Sequence, residues 1–339
     1  MSKITKNAVL FKEMTVDMKQ PKIMLILVCV NTIMSLLAGL FMLIVGVSDS
    51  SVDYRAFALY FIIAIYVEVC TLAAITPAIT AGTVSLEKER QTLDVLLTTK
   101  LKPWDIILGK YLSQVFLLVL LMLSTLPLLS LVFVYGGVSI IGLFAVLLCM
   151  IVFVAFVSAF GVFFSSLTKN TVSSVILSYV VFIVYSLMTV LLPAVGIIVV
   201  ELINVKLEDI FFYIPDHFLN GDFLVFIGTL NPFCLIYDVL GNSLGYSFEN
   251  AEGIEGMVSL SRILPHFNPS NNWTGIRLIS QNIGVFLLRL WTPISIVVQL
   301  LITFILLKLS AFNLNPIKGR KKNKSKSEKK KVQQPQAEK

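Results

Sequence analysis

The sequence predicts an all-α membrane protein with six transmembrane helices, on three observations. Of its 339 residues, 57% are hydrophobic and only 14% are charged, whereas a soluble domain carries roughly 45–50% apolar and about 25% charged residues. So little charge cannot coat a globule of this size, and lipid is the expected solvent. Second, Ile23–Ser48, Tyr111–Thr168 and Asn170–Val200 contain no Asp, Glu, Lys or Arg. A spanning helix needs about 20 mainly apolar residues, and each run supplies them. Third, Lys and Arg are unevenly shared between the segments that separate these runs.

The first span is expected at Ile23–Val47 and the second at Ala56–Ser85. The first run is longer than a signal-peptide core and has no small-residue cleavage site after it, so it is read as a retained span. The run from Tyr111 to Thr168 would form about 87 Å of helix at roughly 1.5 Å per residue, far more than one crossing. Tyr135-Gly136-Gly137 is the expected turn within it, because paired glycines favour a tight reversal. This places a third span near Gly109–Val134, a fourth near Val138–Leu167, a fifth near Val172–Val200 and a sixth within 284–310.

Lys and Arg are retained on the cytoplasmic side. With six spans and an inside N-terminus, the cytoplasmic segments hold 22 of the 27 basic residues, and an odd number of spans would put the basic C-terminal tail outside. Residues 1–22 are then cytoplasmic, 23–200 carry five spans, and 201–283 form an extended extracellular segment. Residues 284–310 carry the sixth span, and 311–339 form a disordered basic cytoplasmic tail. A seventh crossing within Leu219–Leu244 is disfavoured by Asp222, Asn231-Pro232 and Asp238, each costly in hydrocarbon. The apolar pieces of that segment suit re-entrant or interfacial helices, or a small exterior cap. The polybasic run from Lys318 to Lys331 cannot bury a core and suits a topology anchor or contact with anionic lipid headgroups.

No catalytic, cofactor-binding or metal-ligating constellation is present in the sequence. His217 and His266 are not at ligand spacing. Cys29, Cys70, Cys149 and Cys234 form no paired framework and read as small packing residues. Within the spans, Glu68 is the outstanding polar residue. An intramembrane carboxylate lines a pathway or cavity, or else bonds a neighbouring helix; both readings stay open. Asn31, Gln114 and Gln299 read as glue between helices. Arg289 reads as a snorkelling residue, and Pro77, Pro127, Pro193 and Pro293 as possible kinks.

The most informative stretch is Ser85–Lys110. It is dense in charge yet patterned, with Leu86, Leu93, Leu96 and Leu97 at helical spacing and Glu87, Arg90, Gln91 and Asp94 largely on the other side. A short amphipathic helix is predicted at about 86–100, with Glu87 and Arg90 placed for an i,i+3 pair. Gln91 is expected to favour helix there. Lys102-Pro103 ends it, and Asp105 suits the positive end of the next helix.

Glu87, Lys88-Glu89-Arg90, Thr92-Leu93, Leu96-Leu97, Pro103 and Ile107 to Gly109-Lys110 resemble the permease subunits of type-2 ABC exporters. Asn7 to Glu13 resembles that family's amphipathic N-terminal helix, Ser165 to Asn170 its short turn between the fourth and fifth spans, and Asn231-Pro232-Phe233 the element that follows the fifth span outside. The resemblance implies that the 86–100 segment is a cytoplasmic coupling helix. Glu87, Glu89, Arg90, Thr92, Leu93, Leu96 and Leu97 would then couple the chain to an ATPase. A phosphate-cradling loop requires Gly-x-x-x-x-Gly-Lys-Ser/Thr. The Gly-Lys at Gly109-Lys110 has Trp104 at the earlier glycine position and Tyr111 after it. The family supplies that activity on separate subunits, so ATP and Mg are expected on a partner ATPase and no cofactor in this chain. The chain is then not itself an enzyme.

The implied partners are ABC ATPase subunits, a second permease copy or a homologous permease, and membrane lipids, with no nucleic acid. The expected site is a bacterial plasma membrane, and the expected function is dimeric export of a hydrophobic or amphipathic substrate. A non-transporting scaffold or sensor subunit is the alternative.

Overall fold

The computed structural model describes residues 14, 20–47, 54–93, 96, 98, 102–130, 140–210, 227–248 and 290–314. Among them the order of elements is α1 (Pro21–Val47), α2 (Tyr54–Thr80), α3 (Gly82–Glu89), α4 (Pro103–Leu129), α5 (Ile140–Leu167), α6 (Thr171–Ile210), α7 (Pro232–Phe248) and α8 (Trp291–Asn313). Every described element of regular structure is helical. Six helices are long and apolar enough to cross a membrane, with α2 and α3 counting as one span. The segments predicted as the N-terminal amphipathic helix, the glycine turn at 135–137, Arg289 and the basic tail lie outside the described residues.

The apolar runs become helices because lipid offers no partner for a backbone N–H or C=O, and only a helix satisfies these groups within one segment. α5 is apolar on every side, and such a helix belongs in the middle of a bundle. It packs against α2, α3, α4, α6, α7 and α8. Phe153 and Phe156 at its centre are fully buried, together with Phe61 and Ile65 of α2 and Leu118 and Met122 of α4. A second, smaller cluster sits at the end of the bundle that holds Glu87. There Val84, Ile107, Tyr111, Val162 and Leu307 meet, and the Tyr111 hydroxyl donates to the Ala155 carbonyl at 3.0 Å. α1 and α6, by contrast, turn long rows of apolar side chains outward, such as Leu25, Leu36 and Leu43, and Ile183, Leu187 and Leu192.

Two features differ from the sequence expectation. The second span continues as α3 to Glu89 after a break at Ala81, four residues beyond Pro77. Gly161 of α5 lies directly against the break. A Cβ there would overlap the Thr80 side chain, within 2.7 Å of its Cβ and 3.2 Å of the Ala81 nitrogen. One turn further, the Ser165 hydroxyl accepts from the backbone N–H groups of Val84 and Ser85, both at 2.8 Å. These are orphan donors of a first helical turn, here capped by a side chain from a neighbouring helix.

The second difference concerns the fifth span, expected to end near Val200, and the chain that follows it. α6 runs on to Ile210, and α7 lies within the bundle beside α5, with Phe233 against Phe153 at 5.3 Å between ring centroids. The chain descends through Gly228, against Trp291, to Asn231, then turns and rises as α7 until Asp238 accepts from the Thr292 hydroxyl at 2.6 Å. Asn231 is the vertex. Its Oδ1 accepts from the N–H of Phe233 at 2.8 Å, as an N-cap does, and its Nδ2 donates to the Ser186 carbonyl and to Thr189 Oγ1 of α6, both at 2.8 Å. Gln299 of α8 donates to the Asn231 carbonyl at 3.3 Å. The sixth span accordingly starts at Trp291, and Pro293 falls in its first turn, where a missing N–H needs no partner.

Candidate functional site

The charged stretch after the second span lies where the ends of α3, α4, α5, α6 and α8 converge. It is not one helix over 86–100. α3 stops at Glu89, and Gln91 adopts φ 58°, the left-handed region. The N–H of Gln91 donates to the Lys88 carbonyl at 3.2 Å and that of Thr92 to the Glu87 carbonyl at 2.9 Å. This pair of bonds is a Schellman turn with Gln91 at the position glycine usually takes. Gln91 therefore ends the helix instead of extending it. Helical backbone resumes at Leu93, and the Leu96 N–H donates to the Thr92 carbonyl at 3.2 Å.

Three consecutive side chains before the turn point to three different helices. Glu87 Oε1 accepts from Lys110 Nζ of α4 at 2.8 Å, instead of pairing along its own helix as predicted. Lys110 is 3% exposed and Glu87 24%, so this ion pair is largely withdrawn from water. The Lys88 ammonium donates to the carbonyls of Ser165, Ser166 and Thr168, with Thr168 at 3.1 Å. It thereby satisfies the last carbonyls of α5, where the helix dipole favours a cation. Glu89 Oε2 accepts from the Thr171 N–H at 3.2 Å and its hydroxyl at 2.7 Å, placing a carboxylate at the positive end of α6.

The other residues expected at this site are placed more simply. Arg90, Gln91 and Thr92 are exposed at the turn, Leu93 and Leu96 are half-buried, and Leu97 lies outside the described residues. A cleft of about 520 Å³ opens here, lined by Lys88, Gln91, Leu93, Ser166, Leu167, Lys169 and Asn313. Lys88, Lys110 and Ser165 were not singled out as site residues in the sequence. Lys110 carried a signal nonetheless, because a lysine seven residues into a helix that starts at Pro103 must find a partner or a route to water.

Glu68 lies away from this site, fully buried between α2 and α4. The Thr125 hydroxyl donates to its Oε1 at 2.6 Å, while its Oε2 has no hydrogen-bond partner among the described residues. The structure thus gives Glu68 a bond to a neighbouring helix. Asn31 donates to Ser124 Oγ at 2.8 Å, joining α1 to α4 as expected for interhelical glue.

Among the described residues the chain is thus a bundle with six membrane-competent helices and a charged, structured segment between the second and third. A family model described as ABC-2 family transporter protein matches residues 47–312, and the chain belongs to that family. No curated protein matches the chain.

Proposed function

We propose that this chain is the permease subunit of an ATP-driven exporter. It works as a dimer and couples to separate ATPase subunits at the end of the bundle that carries Glu87 to Lys102. Family membership supplies the class, and one observation carries the reading. The turn Arg90–Thr92 is exposed, while the three residues before it are bonded to the ends of α4, α5 and α6. A protein docked on the turn is thus in mechanical contact with most of the bundle. The positive-inside distribution of Lys and Arg favours the cytoplasmic side for this end. The membrane is read as a bacterial plasma membrane, with both termini cytoplasmic.

The test is purification of the full chain from its own membrane in mild detergent. An ABC ATPase should accompany it, and Arg90→Glu should reduce the bound ATPase or separate hydrolysis from transport while insertion stays normal. Full transport by Arg90→Glu, with the ATPase still bound, would remove this turn from the docking surface.

A further inference from the structure

Glu87, Lys88 and Glu89 are adjacent in sequence, yet each holds the end of a different span. The element that carries them is short and separately bounded. α3 has eight residues, begins at the break opposite Gly161 and ends at the left-handed Gln91. It is fastened to α5 at both ends, by Ser165 at its first turn and by Lys88 at its last. From this arrangement we infer that Lys88 and Glu89 are positioning residues. They divide the displacement of the exposed Arg90–Thr92 turn between two spans, Lys88 passing it to the end of α5 and Glu89 to the start of α6.

The inference rests on the docking reading above and goes beyond it, because it names which span each residue moves. The chemistry is directional. An ammonium bonded to the Ser165 and Ser166 carbonyls, and to that of Thr168 just beyond, moves with the end of α5, and a carboxylate bonded to an N–H and hydroxyl of Thr171 moves with α6. Because the corner Thr168–Asn170 between α5 and α6 is only three residues long, independent handles on its two sides allow the two helices to tilt relative to each other. A single contact would drag the corner as one piece.

The experiment uses the full chain with the ATPase that co-purifies with it. The four cysteines are replaced, and a nitroxide is placed at Leu167→Cys or Val172→Cys, both exposed positions flanking the corner. Spectra are compared without nucleotide and with ATP plus orthovanadate. In the parent both labels should change mobility on nucleotide trapping. Lys88→Met should reduce the change at 167, where Ser165 still ties α3 to α5, and keep it at 172, Glu89→Gln should do the reverse, and Lys88→Arg should restore the response at 167.

Nucleotide-dependent changes that persist undiminished at both positions in Lys88→Met and Glu89→Gln would overturn the inference and leave the docking reading standing. Loss of the bound ATPase from either variant would also overturn it, since these residues would then be docking contacts. If the parent, with ATPase bound and hydrolysing, shows no change at either label, the docking reading fails and this inference with it.

Discussion

Lys110 and Glu87 form an ion pair in a place where neither charge is easily replaced. Removing one partner of a buried pair strands the other and typically costs about 3–5 kcal/mol. Because Glu87 keeps some exposure, the lower end applies, and Glu87→Ala is expected to destabilise the bundle by about 3 kcal/mol. Reversible unfolding in mixed micelles measures this, and the double exchange Glu87→Lys with Lys110→Glu should recover part of the loss. Gln91 presents the opposite case. A non-glycine residue in the left-handed region costs roughly 1 kcal/mol, so Gln91→Gly should hold or raise stability by about 0.5–1 kcal/mol, and Gln91→Val should lower it. The charges of this segment were legible in the sequence because they interrupt apolar runs, but their directions were not. Leu86 and Leu93 are seven residues apart, two helical turns, and that spacing hides a break that lies between them. Glu68 was legible for the same reason as Glu87, whereas its partner Thr125 looked like any other span threonine.

At the scale of elements, close approach of helices in lipid depends on small residues, and α5 places Gly161 and Ser165 one turn apart against the α2–α3 break. Gly161→Ala would push against the Thr80 side chain and the Ala81 nitrogen and is expected to cost about 2 kcal/mol, within the range for overpacked sites. Lower yield of folded protein and lower thermal stability than wild type would be the readout, and unchanged stability would show that the break relaxes freely. The vertex of the re-entrant segment makes a separate prediction. Asn231→Ala removes the cap of α7 and two bonds to α6, leaving buried groups unpaired at about 1–3 kcal/mol each. α7 should then open, and the half-buried thiol of Cys234 should react faster with a membrane-permeant maleimide. Long helices were readable because uncharged runs admit one interpretation. α7 was readable only in part, since Asp238 and Asn231 appear too polar for hydrocarbon until Thr292, Gln299 and Thr189 supply their partners from distant segments.

For the whole molecule, the proposed orientation places Gln91 inside the cell and Leu202 outside. A cysteine at Leu202 should therefore react with a membrane-impermeant reagent in intact cells. One at Gln91 should react only after permeabilisation, and the reverse pattern would invert the topology. At the Glu87 end five helices are bonded together, while toward the other end α6 continues to Ile210.

That helix has 40 residues, against 23 to 28 in α1, α4, α5 and α8, and it displays apolar side chains outward from Val172 to Val199. Such a row is about 40 Å long at 1.5 Å per residue, against roughly 30 Å of hydrocarbon in a bilayer. The excess is a hydrophobic mismatch, relieved by tilt or by local thickening of the lipid. Since Glu89 grips the foot of this helix, the thickness of the surrounding bilayer bears on the same corner that nucleotide is proposed to move. Longer acyl chains would then favour the upright α6, giving lipid composition a direct mechanical hold on the transport cycle.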